Sequence, residues 1–129
     1  MEGFEVEIVT PEKIIFSTKT NIVTLPSYEG EMSVLRDHIS IITFLRPGIL
    51  KVNVDKDEQK SFFVEDGTIE FFNNKLTILS SFVFNVKDLT KDFINSLVEK
   101  TKKDLGQENL TDAEKYILNY KLDTINSLN

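Results

Sequence analysis

A mainly β chain with a C-terminal α appendage is predicted here: an antiparallel β-sandwich followed by a two-helix hairpin. Three observations point to it. Short apolar runs with a period of two recur up to Val86, at roughly ten-residue spacing. Turn-forming residues separate most of these runs. After Lys87 the apolar period changes to three and four, which belongs to helices.

Phe4, Val6 and Ile8 alternate with Glu5 and Glu7, so a strand there carries apolar groups on one face and carboxylates on the other. Comparable runs follow at Asn21 to Leu25, Ile49 to Val54, Ser61 to Glu65, Thr68 to Phe72 and Leu76 to Leu79. Asp66-Gly67 and Asn73-Asn74 predict hairpin-type turns, because Gly and Asn tolerate positive φ. Pro26 and Pro47 close apolar runs and read as strand terminators. Short strands with no helical pattern between them call for two sheets packed face to face.

In the C-terminal part Leu89, Phe93, Ile94, Leu97, Val98 and Leu105 form an apolar stripe. Thr90 opens that helix and Gly106 ends it. A second helix starts at Thr111, where Glu114 completes a capping box. It carries Ile117, Leu118, Leu122, Ile125 and Leu128 on one side. The short connection admits only an antiparallel hairpin. Two such helices bury little by themselves, so the hairpin must lean on the sandwich, lean on another subunit, or sample several positions. The expected division is a β-sandwich domain over 1–86 and a helical hairpin domain over 87–129, with a short hinge near Val86 to Asp88.

The 129 residues suffice for one ordinary domain or a small core with an appendage. Ten Phe and no Trp point to a core of Phe, Ile, Leu and Val, and the absence of Cys excludes disulfides and thiolate metal sites. A net charge of −6 argues against binding nucleic acid or an anionic membrane, which require a clustered positive surface. The start MEGFEVEIV has acids where a signal peptide carries Lys or Arg. No stretch approaches the roughly 20 apolar residues needed to cross a bilayer. Work at a membrane would therefore depend on another protein that holds the chain there.

Residues able to carry chemistry do not assemble into a reactive set. His38, beside Arg36 and Asp37, has no second His, no Cys and no Ser-based elbow to complete an acid–base or metal arrangement, and reads as a loop or interface histidine. Glu29, Glu31 and Asp37 lack the spacing of a calcium loop, which leaves solvated acids or a polar protein contact. None of the five Gly is arranged as a P-loop. Lys100, Lys102 and Lys103 near the end of the first helix suit its dipole, and Glu99 can pair with Lys103. Docking on an acidic partner is the other reading of this basic cluster.

The segment from Ser27 to Leu50, SYEGEMSVLRDHISIITFLRPGIL, resembles the signature of the epsilon subunit of F-type ATP synthases. Glu29, Gly30 and Glu31 match its acidic loop, Val34 and Leu35 its apolar pair, His38 its histidine, and Arg46-Pro47-Gly48-Ile49-Leu50 the turn and strand that follow. Val6 to Ser17 is similar to the family's opening strand pair. A final strand near Leu76 to Ser80 and a terminal helical pair extend the likeness over nearly the whole chain.

The resemblance implies a non-catalytic central-stalk subunit, coupling rotation between the c-ring and the catalytic head. It implies binding to the gamma subunit through the sandwich and to the c-ring through the acidic loop, with Glu29, Glu31, Arg36 and His38 on the c-ring side. A close-packed sandwich suits the passage of torque. The family's hairpin can lie folded beside the sandwich or extend along gamma toward the alpha and beta subunits, where it blocks ATP hydrolysis, and in the extended form Lys100, Lys102 and Lys103 would meet the catalytic head. The implied location is peripheral, on the cytoplasmic face of a bacterial inner membrane.

The chain departs from the family pattern in two places. Ser33, Arg36 and Asp37 stand where the family has Gly, Pro and Gly, which leaves the backbone less permissive. ATP-binding members carry Asp, two spacers and Arg-Ala at the start of the first helix, whereas here Asp88 is followed by Lys91 and Asp92. Only the Asp is kept, and no cofactor is expected. The competing reading is a free-standing β-sandwich adaptor for a peptide or carbohydrate, which an exposed aromatic groove would favour.

Overall fold

The computed structural model describes residues 3–55 and 57–128. Ten strands come first: β1 (Phe4–Val9), β2 (Ile14–Thr20), β3 (Ile22–Ser27), β4 (Gly30–Leu35), β5 (Ile41–Leu45), β6 (Gly48–Asp55), β7 (Glu58–Val64), β8 (Gly67–Phe72), β9 (Lys75–Leu79) and β10 (Val83–Asn85). A 3-10 turn at Val86–Asp88 leads into α1 (Lys91–Leu105) and α2 (Asp112–Asn126).

The strands run β10-β7-β6-β3-β5-β8-β9-β1-β2, with β4 paired to β3 off this path. The junction between β3 and β5 is a single residue pair, Ser27 with Leu45, so the path bends there and the sheet curls on itself. Period-two alternation then fills the interior from both walls. Phe4, Val6 and Ile8 of β1, Ile69 and Phe71 of β8 and Leu76 and Ile78 of β9 meet Val23, Leu25, Val34, Leu50 and Val52 in one buried cluster. The predicted sandwich is present, and one of its pairings is parallel: β1 runs with β9, Glu5 beside Lys75 through Val9 beside Leu79.

Three local expectations are corrected. Gly30 and Glu31, matched to an acidic loop, open a strand absent from the expected runs, β4, pairing Ile22 with Leu35 through Ser27 with Gly30. Pro26 does not end β3 but lies within it, buried opposite Glu31. Its ring removes a donor while its carbonyl still accepts the Arg46 N–H at 2.9 Å. Asp66-Gly67 is no hairpin turn, because β7 pairs with β6 and β10 whereas β8 pairs with β5 and β9. It is a corner between the two walls, and only Gly fits there, because φ is +142 and a Cβ would run into the Leu79 carbonyl. Asn73-Asn74 is the expected hairpin turn, with φ of 50° and 56°.

Both helices start where their caps place them. The Thr90 hydroxyl accepts the Phe93 N–H at 3.1 Å, and Thr111 and Glu114 exchange the two bonds of the capping box. Gly106 ends α1 in an ordinary right-handed conformation, φ −81, and the left-handed residue of the connection is Asn109, φ 68. The hairpin leans on the sandwich. Phe63, Ile94, Leu97 and Ile125 form a second buried cluster, and a run of rings from Phe63 through Phe82 and Phe84 to Phe93, with centroids 6.2, 4.6 and 5.0 Å apart, joins β7 to α1. Each fully buried ring or branched aliphatic chain contributes about 1.5–3 kcal/mol, which is what two short helices lack in isolation.

Candidate functional site

The outward face of β5, β8 and β9 is unusually apolar. Because Phe71, Ile69, Leu76 and Ile78 point inward, their neighbours must point out. Among those neighbours Ile42 is 75% exposed, Phe44 60%, Phe72 57% and Leu79 49%. The register sets Phe44 beside Thr68 and Thr68 beside Leu79, so aromatic and aliphatic groups share one row with a threonine between them. A hollow of about 680 Å³ opens at this end, lined by Val9, Tyr28, Phe44, Thr68 and Leu79 among others. Glu70 and Lys75 share this face, and exposed large apolar side chains rimmed by charge suit a protein contact.

The four residues expected to form one contact patch do not lie together. Glu29 sits in the turn after β3 and Glu31 at the start of β4, both exposed, whereas Arg36 and His38 lie beyond the other end of that strand. Four residues of extended chain put Glu31 and Leu35 roughly 13 Å apart. At the far end the Arg36 guanidinium donates to the Gly3 carbonyl at 2.8 Å. The His38 ring is half-buried and stands edge-on to Phe71, 5.9 Å between centroids.

Asp37 keeps a left-handed backbone, φ 64, the conformation a glycine would adopt without strain. Asn74 supports it: the Asn74 Oδ1 accepts the Asp37 N–H at 2.7 Å, and the Asn74 Nδ2 donates to the Asp37 carboxylate at 2.9 Å. The stiffer sequence thus retains a glycine-like bend through a side chain borrowed from the β8–β9 turn.

Where α2 meets the sandwich the contact is polar. Arg46, between β5 and β6, donates to the Tyr116 hydroxyl at 3.2 Å and to the Tyr120 hydroxyl at 2.9 Å. Its guanidinium also lies 3.9 Å from the Tyr120 ring centroid. The Arg46 Nε is buried with no hydrogen-bond partner, a desolvation cost of about 1–3 kcal/mol that stacking offsets in part. One residue on, Lys121 is buried and its ammonium bonds Glu65 at 2.5 Å. The sequence placed Arg46 in the family's turn and Glu65 at the end of an apolar run without a partner for either, and marked none of Tyr116, Tyr120 and Lys121. The signal was there for Lys121, which falls between Ile117 and Ile125 on the inward stripe of α2, where a lysine needs a partner.

Lys100, Lys102 and Lys103 are exposed on α1, around a buried Thr101 whose hydroxyl is tied to the Leu97 carbonyl. Asp88, in the 3-10 turn, is exposed, as are Lys91 and Asp92. Among the described residues no group of three or more His, Cys, Asp or Glu could hold a metal ion. No helix among them is long and apolar enough to cross a membrane.

Residues 3–85 match the profile of the ATP synthase delta/epsilon chain β-sandwich domain. The chain is 43% identical over 129 residues to the ATP synthase epsilon chain of Pelagibacter ubique (strain HTCC1062), covering 99% of this chain and 98% of that one. This chain belongs to the ATP synthase epsilon chain family. A second family member, from Rhizobium etli (strain CIAT 652), is 30% identical over 104 residues, 81% of this chain and 77% of its own. The fold of the epsilon chain is also that of a chain in the Euglena gracilis mitochondrial ATP synthase structure of OSCP, F1 and c-ring. That match has a TM-score of 0.75 at 16% identity, over 98% of this chain and 79% of the other. A chain in the Tetrahymena thermophila mitochondrial central stalk and c-ring structure gives 0.72 at 19% identity, over 98% and 96%.

Proposed function

We propose that this epsilon chain serves as a non-catalytic subunit of the ATP synthase central stalk, gripping the gamma subunit through the outward face of β5, β8 and β9. The exposed apolar side chains Ile42, Phe44, Phe72 and Leu79 on this face, with Glu70 and Lys75 among them, carry this reading. It lies on the outside of a close-packed body, where a partner under torque would meet a surface that does not yield. The 1–86 sandwich is the rigid module and the 87–129 hairpin the releasable one.

Glu29, Glu31, Arg36 and His38 are proposed for the c-ring side. They lie at or just beyond the two ends of β4, which among the described residues pairs only with β3, so that both ends of one edge strand lie along the same partner. The partners keep the chain peripheral at the cytoplasmic face of a bacterial inner membrane. The hairpin acts as a brake on ATP hydrolysis, with Lys100, Lys102 and Lys103 meeting acidic surface on the alpha and beta subunits once it leaves the sandwich. With Lys91 and Asp92 after Asp88, no nucleotide is invoked to hold it.

Co-purification tests the assignment: the chain is expected to associate with recombinant gamma subunit at micromolar concentration, and no association would overturn it. Deleting residues 88–129 is expected to leave assembly intact and raise ATPase activity. Unchanged activity would make the hairpin structural rather than inhibitory.

A further inference from the structure

We infer that the hairpin is held in its docked position by a two-point polar latch on α2, Arg46 clasped by Tyr116 and Tyr120 and Lys121 bonded to Glu65. Severing either point loosens the hairpin and leaves the sandwich folded. The inference deepens the stalk reading, which it needs only for the consequence, control of the brake; the latch itself is a property of the free chain.

The placement of the groups supports this. Tyr116 and Tyr120 are one turn apart on the same face of α2, and Lys121 follows directly. Because the helices are antiparallel and Ile125 packs with Ile94 and Leu97, the two tyrosines lie opposite the C-terminal half of α1, farther from the hinge than Ile125. Their sandwich partners are fixed points. Arg46 is anchored through its own N–H to the Pro26 carbonyl, and Glu65 directly follows β7.

The apolar grip of α2 is small by comparison. Ile125 is its one buried hydrophobic residue, and Ile117, Leu118 and Leu122 are only half-buried. Residues held by charge and hydroxyl groups can exchange their partners for water when a contact opens, whereas a buried leucine cannot. Opening gives the Arg46 Nε a water partner that it lacks while docked, which offsets part of the bonds to Tyr116 and Tyr120 that are lost. The Lys121 ammonium, 6.0 Å from the Phe82 ring centroid, also ties the latch to the aromatic run that carries α1. A contact of this composition is specific when closed and inexpensive to open, as a switch requires.

The test uses the full chain without gamma, so that failure of the stalk reading, recorded by gamma binding, stays separate. The absence of native Cys lets spin labels be placed at Asn119→Cys on α2 and Glu58→Cys on β7. Pulsed electron resonance then reads their separation, and hydrogen exchange reads the α2 amides. Lys121→Glu and Glu65→Lys are each expected to add a long-distance population and to speed α2 exchange about tenfold. The double swap should restore both readings while β1 and β9 amides stay protected throughout. Unchanged distances in the single swaps, or no restoration in the double, would overturn the inference. Should the swaps also expose β1 and β9, Arg46→Lys decides, since it keeps the charge and loses the planar fork. The latch then requires faster α2 exchange with an intact sheet, and unchanged exchange refutes it.

Discussion

The guanidinium of Arg46 lies 3.9 Å from the ring centroid of Tyr120, a residue 74 positions later, and bonds its hydroxyl as well. One arginine on the sandwich thereby uses both the face and the tip of a helical tyrosine. Arg46→Ala should destabilise the chain by about 1–2 kcal/mol in urea unfolding, the sum of a partly desolvated cation–π contact and a neutral-to-charged hydrogen bond. Tyr120→Phe keeps the ring and should cost less, about 0.5–1 kcal/mol.

Gly67 and Gly30 both have positive φ, +142 and +126, but differ in surroundings. A Cβ at Gly67 would collide with the Leu79 carbonyl, whereas one at Gly30 meets nothing within 4 Å. Gly67→Ala is therefore expected to cost roughly 3 kcal/mol or more, and Gly30→Ala roughly 1–2 kcal/mol from backbone strain alone. Thermal unfolding of the two variants side by side checks the ordering.

Asn74 has two tasks, a left-handed turn position and the pair of bonds to Asp37. Asn74→Gly keeps the first and loses the second. Asn74→Ala loses both and should be the more destabilising, by about 1 kcal/mol over the Gly variant. Faster amide exchange at Asp37 is expected in both, because its N–H loses the Asn74 acceptor.

Lys75 on β9 bonds Glu7 on β1 at 2.7 Å across the parallel pair. This hydrogen bond and the charge of Glu7, with a further contribution from Glu5, raise the Lys75 pKa above the usual lysine value. A raised pKa means that the folded state holds the proton more tightly, so the stabilisation is complete below the ordinary lysine range and fades as pH rises through the folded value. Because Lys75 is solvent-exposed the effect should be small and weakened by salt. The alkaline slope of a stability–pH profile should flatten in Glu7→Gln.

Much of the fold was legible wherever burial imposes a period. Phe4, Val6 and Ile8 alternate because one wall of β1 faces the core, and Thr111 with Glu114 announces α2 through bonds made within four residues. β4 was not legible, because Val34 is its one fully buried side chain and Gly30 and Glu31 at its start have the composition of a loop. Asp66-Gly67 looked like a hairpin because local sequence reports that φ is positive, not which strands lie on either side. Arg46, Glu65 and Lys121 escaped for a related reason: their partners come from the docking of α2 on the sandwich, and that contact has no sequence period. The shared outward face of Ile42, Phe44, Phe72 and Leu79 becomes visible only once the inner face of the sheet is known.

Calorimetric titration of recombinant gamma subunit with the full chain measures the grip on which the stalk assignment stands. A complex with Kd of about 1 μM or tighter is expected, at least about tenfold weaker on burying a charge with Phe44→Glu and unchanged on deleting residues 88–129. No heat of association at about 10 μM, or equal affinity for the wild type and Phe44→Glu, would contradict the stalk assignment.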